Sequence, residues 1–71
     1  MDILKIQYKS GTFVLDIETG EFLTISHYDS TNRVYFQNCK TKQTSWDYYT
    51  LLGKIYIKSK AAQVLYGSKN G

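Results

Sequence analysis

Hydrophobic and polar residues alternate with a period of two along most of the chain, and turn-forming stretches interrupt the alternation. This pattern is typical of β-strands that bury one face. Turns are predicted at Ser10-Gly11, at Thr19-Gly20 and at residues 29–32, where Gly, Ser, Asp and Asn are frequent. The pattern predicts five strands, at residues 2–9, 12–18, 22–28, 33–38 and 43–48.

Each predicted strand has an inner set of side chains that we expect to face the core. These are Leu4, Ile6 and Tyr8 in the first strand, Phe13, Leu15 and Ile17 in the second, Leu23, Ile25 and His27 in the third, and Val34 and Phe36 in the fourth. Because side chains alternate between the two faces of a sheet, a register slip of one residue would invert these assignments.

The C-terminal part of the chain continues the alternation and then changes character. Residues 54–58 alternate once more and are a candidate sixth strand. Ser59 is a favourable N-cap for a short helix over residues 60–66, and Gly67 is suited to end it. The apolar side of that helix is expected to consist of Ala61, Val64 and Leu65. Residues 68–71 are expected to form a flexible tail.

Short connections between the predicted strands determine the architecture. Links of two to five residues force neighbouring strands to be antiparallel, because a parallel pair needs a much longer crossover. We therefore predict a single, mainly all-β domain over residues 1–67. It is a five- or six-stranded antiparallel meander, curled toward a partly open barrel and closed by the short C-terminal helix.

Composition excludes several functional classes. Cys39 and His27 are the only cysteine and the only histidine among the 71 residues, so neither an internal disulfide nor a zinc site is expected. The chain has no apolar run of membrane-spanning length, and its start, Met1-Asp2, is acidic rather than basic as in a signal peptide. These features predict a cytoplasmic protein with no cofactor, metal, membrane partner or small-molecule substrate.

Charge is unevenly distributed along the chain, although the net value is only +3. Residues 1–31 carry five carboxylates against two lysines, whereas residues 32–71 carry seven basic side chains against Asp47 alone. The basic half is suited to binding an anion. Alternatively, the two halves neutralise each other across neighbouring strands, and the sequence leaves both interpretations open.

One stretch, residues 32–47, reads NRVYFQNCKTKQTSWD. It closely resembles the second and third strands of a WW domain. The positions that fall at that family's spacing are Arg33, Tyr35-Phe36, Asn38, Thr41, Thr44 and Trp46. The resemblance implies that Tyr35 and Trp46 line an aromatic groove for a proline-rich ligand in polyproline II conformation, with Thr44 beside them.

The stretch also departs from the WW pattern. Phe22 stands in the region of the family's first tryptophan, Cys39 replaces the ligand-contacting histidine, and Tyr49 replaces the closing proline. Two further predicted strands precede the hairpin, so the domain is larger than a WW domain. The family's usual packing on the convex face must therefore be rebuilt from other residues.

Three candidate catalytic features are weaker. Asp16-Ile17-Glu18 looks like the metal-binding motif of 3′–5′ exonucleases, but the chain lacks the longer α/β domain that this chemistry needs. A solvent-facing strand followed by a turn is the simpler interpretation. His27 has no partners at the spacing of a catalytic triad. Cys39, in a loop with Lys40 and Lys42, could have a lowered thiol pKa, but an inert loop cysteine is favoured.

The sequence therefore predicts a non-catalytic module that binds a protein or peptide segment through an aromatic sheet face. The predicted ligand-binding residues are Tyr35, Trp46, Thr44, Gln37, Tyr28 and Tyr48. The alternative is a small basic barrel that binds single-stranded nucleic acid, since such proteins combine basic side chains with aromatic rings. Its residues would be Arg33, Lys40, Lys42, Lys54, Tyr56 and Lys58. A phage or mobile-element regulator that binds a host protein is a third hypothesis.

Overall fold

A computed structural model describes residues 3–67 as five strands with short helical segments before and after them. The strands are β1 (Phe13–Asp16), β2 (Glu21–Tyr28), β3 (Arg33–Asn38), β4 (Thr44–Tyr48) and β5 (Tyr56–Lys58). The helical segments are α1 (Ile3–Gln7), a 3-10 turn (Tyr49–Leu51), and a C-terminal helix made of an α-helical part, α2 (Lys60–Ala62), and a π-helical part (Gln63–Gly67). Within residues 3–67, no helix is both long and apolar enough to cross a membrane.

The five strands form one open antiparallel sheet in the order β4-β3-β2-β1-β5. The first four strands are connected as a meander. The last strand returns to the far edge and pairs with β1, where Asp16 lies opposite Tyr56. The prediction of a mainly β domain with a five-stranded antiparallel sheet and a short C-terminal helix is confirmed.

One face of the sheet, the core face, carries the main hydrophobic core. Its fully buried side chains are Val14, Ile25, Val34 and Phe36, with Leu23 almost as buried. Tyr8, Leu52 and Tyr56 cover them from outside the central strands. The predicted inward orientation of Val34 and Phe36 is therefore confirmed. Burial of a large apolar side chain contributes about 1.5–3 kcal/mol, so this small cluster supplies much of the stability.

Tyr56 closes the core face across the width of the sheet. Its ring stacks on Phe36 of β3 with the ring centroids 4.5 Å apart. Its hydroxyl donates a 2.6 Å hydrogen bond to Oδ2 of Asp47 in β4. Burial, together with the bond to this carboxylate, raises the pKa of Tyr56 above its ordinary value. An edge strand thus reaches a residue of the opposite edge strand, which holds the sheet in a curled shape.

Two hairpins share the same turn chemistry. The side-chain Oδ1 atoms of Asp16 and Asn38 accept hydrogen bonds of 2.8–3.4 Å from the backbone N–H groups two and three residues further on. In each turn the fourth residue further on, Gly20 or Lys42, donates its N–H to the carbonyl of the Asp or Asn. That residue has a positive φ, 78° at Gly20 and 68° at Lys42. Such backbone suits glycine and strains lysine.

The predicted first strand, residues 2–9, is wrong, because residues 3–7 form α1. Leu4 and Tyr8 lie one helical turn apart, and the N–H of Tyr8 donates to the carbonyl of Leu4 at 2.8 Å. Both residues pack on the core, whereas Ile6 is 52% exposed. A segment this short fits a period of two and a period of 3.6 equally well, so packing decided its structure.

The inner face predicted for the second strand is also wrong. Val14 is completely buried on the core face, while Phe13 and Leu15 point to the other face and are half-buried. Ile17 lies beyond the end of the strand and is 55% exposed. The sheet is covered on both sides at β1, so its residues are apolar in both orientations and alternation carries no signal.

A β-bulge in β2 changes the third predicted set of inner residues. Opposite β3, Ile25 pairs with Phe36 and His27 pairs with Tyr35, so Ser26 is the extra residue. The bulge reverses the alternation beyond it. His27, which was predicted to face the core, is therefore exposed on the other face, and Tyr28 takes the core orientation instead.

The C-terminal helix begins as predicted, since Ser59 Oγ accepts a 3.0 Å hydrogen bond from the N–H of Ala62. Its apolar side is not the predicted one. Ala62 is completely buried, whereas Val64 and Leu65 are 65% and 66% exposed. The wider π-helical turn shifts later residues around the axis. The predicted tail, residues 68–71, lies outside the described residues.

Replacing Lys42 by glycine is expected to stabilise the protein. Lysine is strained at a φ of 68°, and glycine removes that strain, for a net gain of about 0.5–1 kcal/mol in the free energy of unfolding. Urea denaturation measures the change. Lys40→Gly in the same hairpin is the control. Lys40 has no positive φ, so this substitution should leave the free energy of unfolding unchanged or lower it. Equal effects of the two substitutions would contradict the assignment.

Tyr56→Phe should lower the free energy of unfolding by about 1–2 kcal/mol at neutral pH, because Asp47 loses its hydrogen-bond donor. Because folding raises the pKa of Tyr56, this residue's contribution is complete below its ordinary pKa of about 10 and declines above it. The variant should therefore lose less stability than the wild type in alkaline solution.

Thermal melts across the alkaline range measure both effects of the Tyr56 substitution. Tyr48→Phe is a matched control, since the Tyr48 side chain is 52% exposed. If the two variants follow the same alkaline profile, the bond between Tyr56 and Asp47 does not contribute as described.

Candidate functional site

The sheet face opposite the core is covered by the C-terminal helix only near β1. There, the ring of Tyr66 contacts the ring of Phe22 edge-on at 6.2 Å. A Cβ atom placed on Gly67 would lie 3.0 Å from the ring of Phe13, so a larger residue there would require that ring to shift. Farther along the sheet, β2, β3 and β4 present this face without the helix, and five of the six predicted ligand-binding residues occur in this part.

Cross-strand pairing builds the uncovered part in rows. His27, Tyr35 and Trp46 are direct partners across β2, β3 and β4. The row on one side pairs Arg33 with Tyr48, and the row on the other pairs Gln37 with Thr44. We call this set the aromatic face: His27, Arg33, Tyr35, Gln37, Thr44, Trp46 and Tyr48. Directly opposed side chains lie close enough to contact a single ligand.

The rings of the aromatic face support one another. His27 stacks on Tyr35 with centroids 4.5 Å apart and planes 4° from parallel. The guanidinium of Arg33 lies 4.2 Å from the centroid of Trp46, a cation–π contact. Trp46 also meets Tyr48 edge-on at 5.4 Å. Trp46 and Tyr48 remain 44% and 52% exposed, so the rings are held in place and are still accessible.

Asp29 fixes the far end of Tyr35. Its Oδ2 accepts a 2.8 Å hydrogen bond from the Tyr35 hydroxyl. Its Oδ1 accepts bonds from the hydroxyl and the N–H of Thr31, at 2.7 and 2.8 Å, and from the N–H of Arg33 at 3.2 Å. The bond from the Thr31 hydroxyl contributes most to holding the pKa of Asp29 well below its ordinary value. The turn between β2 and β3 thus orients Tyr35, one of the predicted ligand-binding residues.

The charge of the aromatic face is low. Arg33 is the one member of the set with a permanent charge, and the set contains no carboxylate. Beside the rings, a shallow depression of about 220 Å³ is lined by uncharged residues. These are Thr24, Ile25, Ser26, Gln37 and Thr44. The surface therefore suits an uncharged or mildly acidic ligand that has apolar parts and needs a few hydrogen bonds.

The structure places five of the six predicted ligand-binding residues together on the aromatic face. These are Tyr35, Gln37, Thr44, Trp46 and Tyr48. The sixth, Tyr28, lies on the core face, where its hydroxyl donates to the backbone carbonyl of Tyr8. His27 is the member that the sequence analysis missed. No period-two pattern could reveal it, because the bulge at Ser26 reverses the alternation.

The residues predicted for nucleic-acid binding do not form one surface. Tyr56 is only 7% exposed, and its hydroxyl is bonded to Asp47, so its ring is closed to a base. Lys54 lies in the turn before β5 rather than on that strand. Lys40 and Lys42 belong to the hairpin between β3 and β4, Lys58 to the edge strand β5, and Arg33 to the aromatic face.

The Asp-x-Glu motif has a structural use. Asp16 ends β1, and its carboxylate accepts hydrogen bonds from the N–H groups of Glu18 and Thr19. Glu18 lies in the turn and is exposed, so the two carboxylates do not share a strand face. The prediction that this segment is an ordinary strand end and turn fits these contacts.

Cys39 is buried, with its Sγ 3.3 Å from Oγ1 of Thr24. The thiol is therefore shielded from solvent. Among residues 3–67, no group of three or more His, Cys, Asp or Glu side chains is arranged to hold a metal ion. The aromatic face is the clearest candidate for binding in the part of the chain that the structure describes.

Asp29→Asn should lower the melting temperature at neutral pH, and the melting temperature of the variant should fall less at acidic pH than that of the wild type. Because folding depresses the pKa of Asp29, its contribution is complete above the ordinary value of 3.8 and is lost as the pH falls below it. Melting curves from neutral to acidic pH measure this, with Glu18→Gln as the control for an exposed turn carboxylate. If the melting temperature of Asp29→Asn falls with acid as steeply as that of the wild type, the described role of Asp29 is contradicted.

Comparisons of this chain with protein-family models, with curated proteins and with solved structures found no match. The resemblance of residues 32–47 to a WW domain therefore stays a prediction that rests on those residues. The function has to be argued from the geometry and chemistry of the aromatic face.

Proposed function

We propose that the protein is a non-catalytic module that binds an extended, proline-rich segment of another protein on its aromatic face, in the cytoplasm. The observation that carries the proposal is the direct cross-strand pairing of Tyr35 and Trp46 on an exposed sheet surface. Neighbouring aromatic side chains of this kind suit a polyproline II ligand, which is already extended and therefore loses little entropy on binding. The WW resemblance of residues 32–47 points to the same two residues.

Rigidity of the two rings supports this function. Tyr35 is stacked on His27 and anchored through its hydroxyl to Asp29. Trp46 is supported by Arg33. Side chains that are already ordered add little entropic cost when a ligand binds, and that cost otherwise weakens small interfaces. A small surface of this kind can then bind a short segment specifically.

The chemistry of the neighbouring row fits a proline-rich ligand as well. Proline has no backbone N–H, so such a segment offers mainly carbonyl acceptors and apolar rings. Thr44 and Gln37 are hydrogen-bond donors next to Trp46 and Tyr35. The apolar rings of the ligand would pack against the exposed edges of Trp46 and Tyr48.

Arg33 adds a preference to the proposed ligand. It is the permanently charged member of the aromatic face, and the nearby Asp29 carboxylate already accepts hydrogen bonds from Tyr35, Thr31 and the Arg33 N–H. A glutamate or aspartate beside the prolines would therefore gain a favourable interaction, and a lysine there would be disfavoured. The preferred partner is a proline-rich segment with acidic neighbours.

Single-stranded nucleic acid fits the aromatic face less well. Base stacking requires open ring faces, but His27 covers one face of Tyr35 and Arg33 covers one face of Trp46. Phosphate tracking also requires several cations along one path, and the set supplies only Arg33. A proline-rich peptide can pack on the ring surfaces that stay open and needs no row of cations.

A chemical-shift titration with decaproline tests the proposal. We expect a saturable shift of the Trp46 indole N–H signal that changes little with added salt. Trp46→Ala and Tyr35→Ala should each weaken binding by about tenfold or more, since buried aromatic anchors dominate small interfaces. Tyr66→Ala is the matched control, because Tyr66 is a partly exposed tyrosine of the C-terminal helix, outside the aromatic face.

Two results would contradict the proposal. One is a decaproline titration that leaves the Trp46 signal unchanged while oligothymidine shifts it with a steep salt dependence, which would favour nucleic acid. The other is an equal loss of peptide binding in Tyr66→Ala and Trp46→Ala. A second peptide, with glutamates beside the prolines, should bind more tightly than its lysine counterpart if Arg33 acts as described.

A further inference from the structure

A second surface feature lies at the end of the sheet where β1 begins and β5 ends. It is an open cleft of about 490 Å³, a volume in the range of small-molecule sites. The cleft is lined by Gln7, Lys9, Ser10, Gly11, Thr12, Phe13, Lys58, Ser59, Lys60 and Gln63. These residues come from the end of α1 and the loop after it, from the first residue of β1, from the last residue of β5, and from the C-terminal helix with the residue before it.

The lining of this cleft has one sign of charge. Lys9, Lys58 and Lys60 are basic, and none of the ten lining residues is acidic. Lys9 is far in sequence from Lys58 and Lys60, so only the fold brings it to the cleft that they line. Like charges around one cavity raise its positive potential and repel one another, and a bound anion relieves both effects. The side-chain amides of Gln7 and Gln63 are further hydrogen-bond donors.

The backbone on both sides of the cleft is fixed to the sheet. The N–H of Gly11 donates to the carbonyl of Ile25 at 2.8 Å, and the Ser10 hydroxyl donates to the carbonyl of Ser26 at 2.6 Å. On the other side, the N–H of Ser59 donates to the carbonyl of Phe13 at 2.9 Å. The lysines therefore extend from a rigid frame, which reduces the cost of ordering them around a ligand.

One lysine is also held by a ring. Lys58 Nζ lies 5.3 Å from the centroid of the Tyr8 ring, in a cation–π contact. Phe13 is the aromatic residue of the lining. The cleft thus combines three lysines with one aromatic residue, so its ligand should carry a compact negative charge and an apolar body.

We propose that this cleft binds a small molecule that carries a phosphate group. The phosphate would lie between the ammonium groups of Lys9, Lys58 and Lys60, which bind phosphate as point charges. The rest of the molecule would pack against Phe13. This site is separate from the aromatic face, and it assigns a small-molecule ligand to a protein for which the sequence predicted none.

Phenyl phosphate is the probe, because it joins a phosphate to a flat apolar ring. Titrated at constant ionic strength, it should give saturable amide shifts at Ser10, Ser59 and Lys60. It should bind more tightly than inorganic phosphate, which lacks the ring. The double variant Lys58→Gln with Lys60→Gln should bind phenyl phosphate at least about tenfold more weakly, because two of the three lysine charges around the phosphate are removed.

The matched control is the double variant Lys42→Gln with Lys54→Gln, which removes the same net charge outside the cleft. Its affinity should stay within about twofold of the wild type, because distant exposed charges are screened. Equal weakening in both double variants would overturn the proposal and show attraction to net charge alone. Shifts that do not saturate would overturn it too.

Two further arms distinguish the source of the phosphate. Vesicles containing phosphatidic acid test whether the phosphate belongs to a lipid headgroup. If phenyl phosphate saturates the site and the vesicles do not sediment the protein, the ligand is a free phosphorylated molecule. Oligothymidine tests nucleic acid. Saturable binding of oligothymidine that depends on Lys58 and Lys60, without binding of phenyl phosphate, would overturn the proposal and assign these lysines to a nucleic-acid surface.

Discussion

The bulge at Ser26 is the constraint on which the two faces of the sheet depend. It adds one residue to β2 between Ile25 and His27 and reverses the alternation beyond that point. Tyr28 therefore faces the core, where its hydroxyl bonds to the carbonyl of Tyr8 and connects β2 to the end of α1. His27 faces the opposite way and stacks on Tyr35. Without the bulge, these two roles would be lost together.

Hydrogen-bonded tyrosines tie the separate elements of this small domain together. Tyr28 bonds to the residue after α1, Tyr56 bonds across the sheet to Asp47, and Tyr35 bonds to Asp29 in a turn. A domain of this size has little apolar surface to bury. A tyrosine that buries its ring and also hydrogen-bonds a polar group therefore contributes to stability in two ways. Three of the seven tyrosines in the sequence thus have a structural role through their hydroxyl groups, and abundance alone identified no ligand.

The sequence predicted the central hairpin well, because its signals are local. The alternation of Val34 and Phe36 with Arg33, Tyr35 and Gln37 determines the faces of β3, and a short turn determines the pairing with β4. The register that opposes Tyr35 to Trp46 follows from these two facts. Five of the six predicted binding residues lie in this hairpin for that reason.

Other features depend on packing between distant segments and could not be predicted in this way. The five residues of α1 are too few to distinguish a helix from a strand by period, and their contacts with the core decided the outcome. The pairing of β5 with β1 rather than β4 is a long-range choice. The cleft lined by Lys9, Lys58 and Lys60 arises from that same pairing, which explains why no local pattern revealed it.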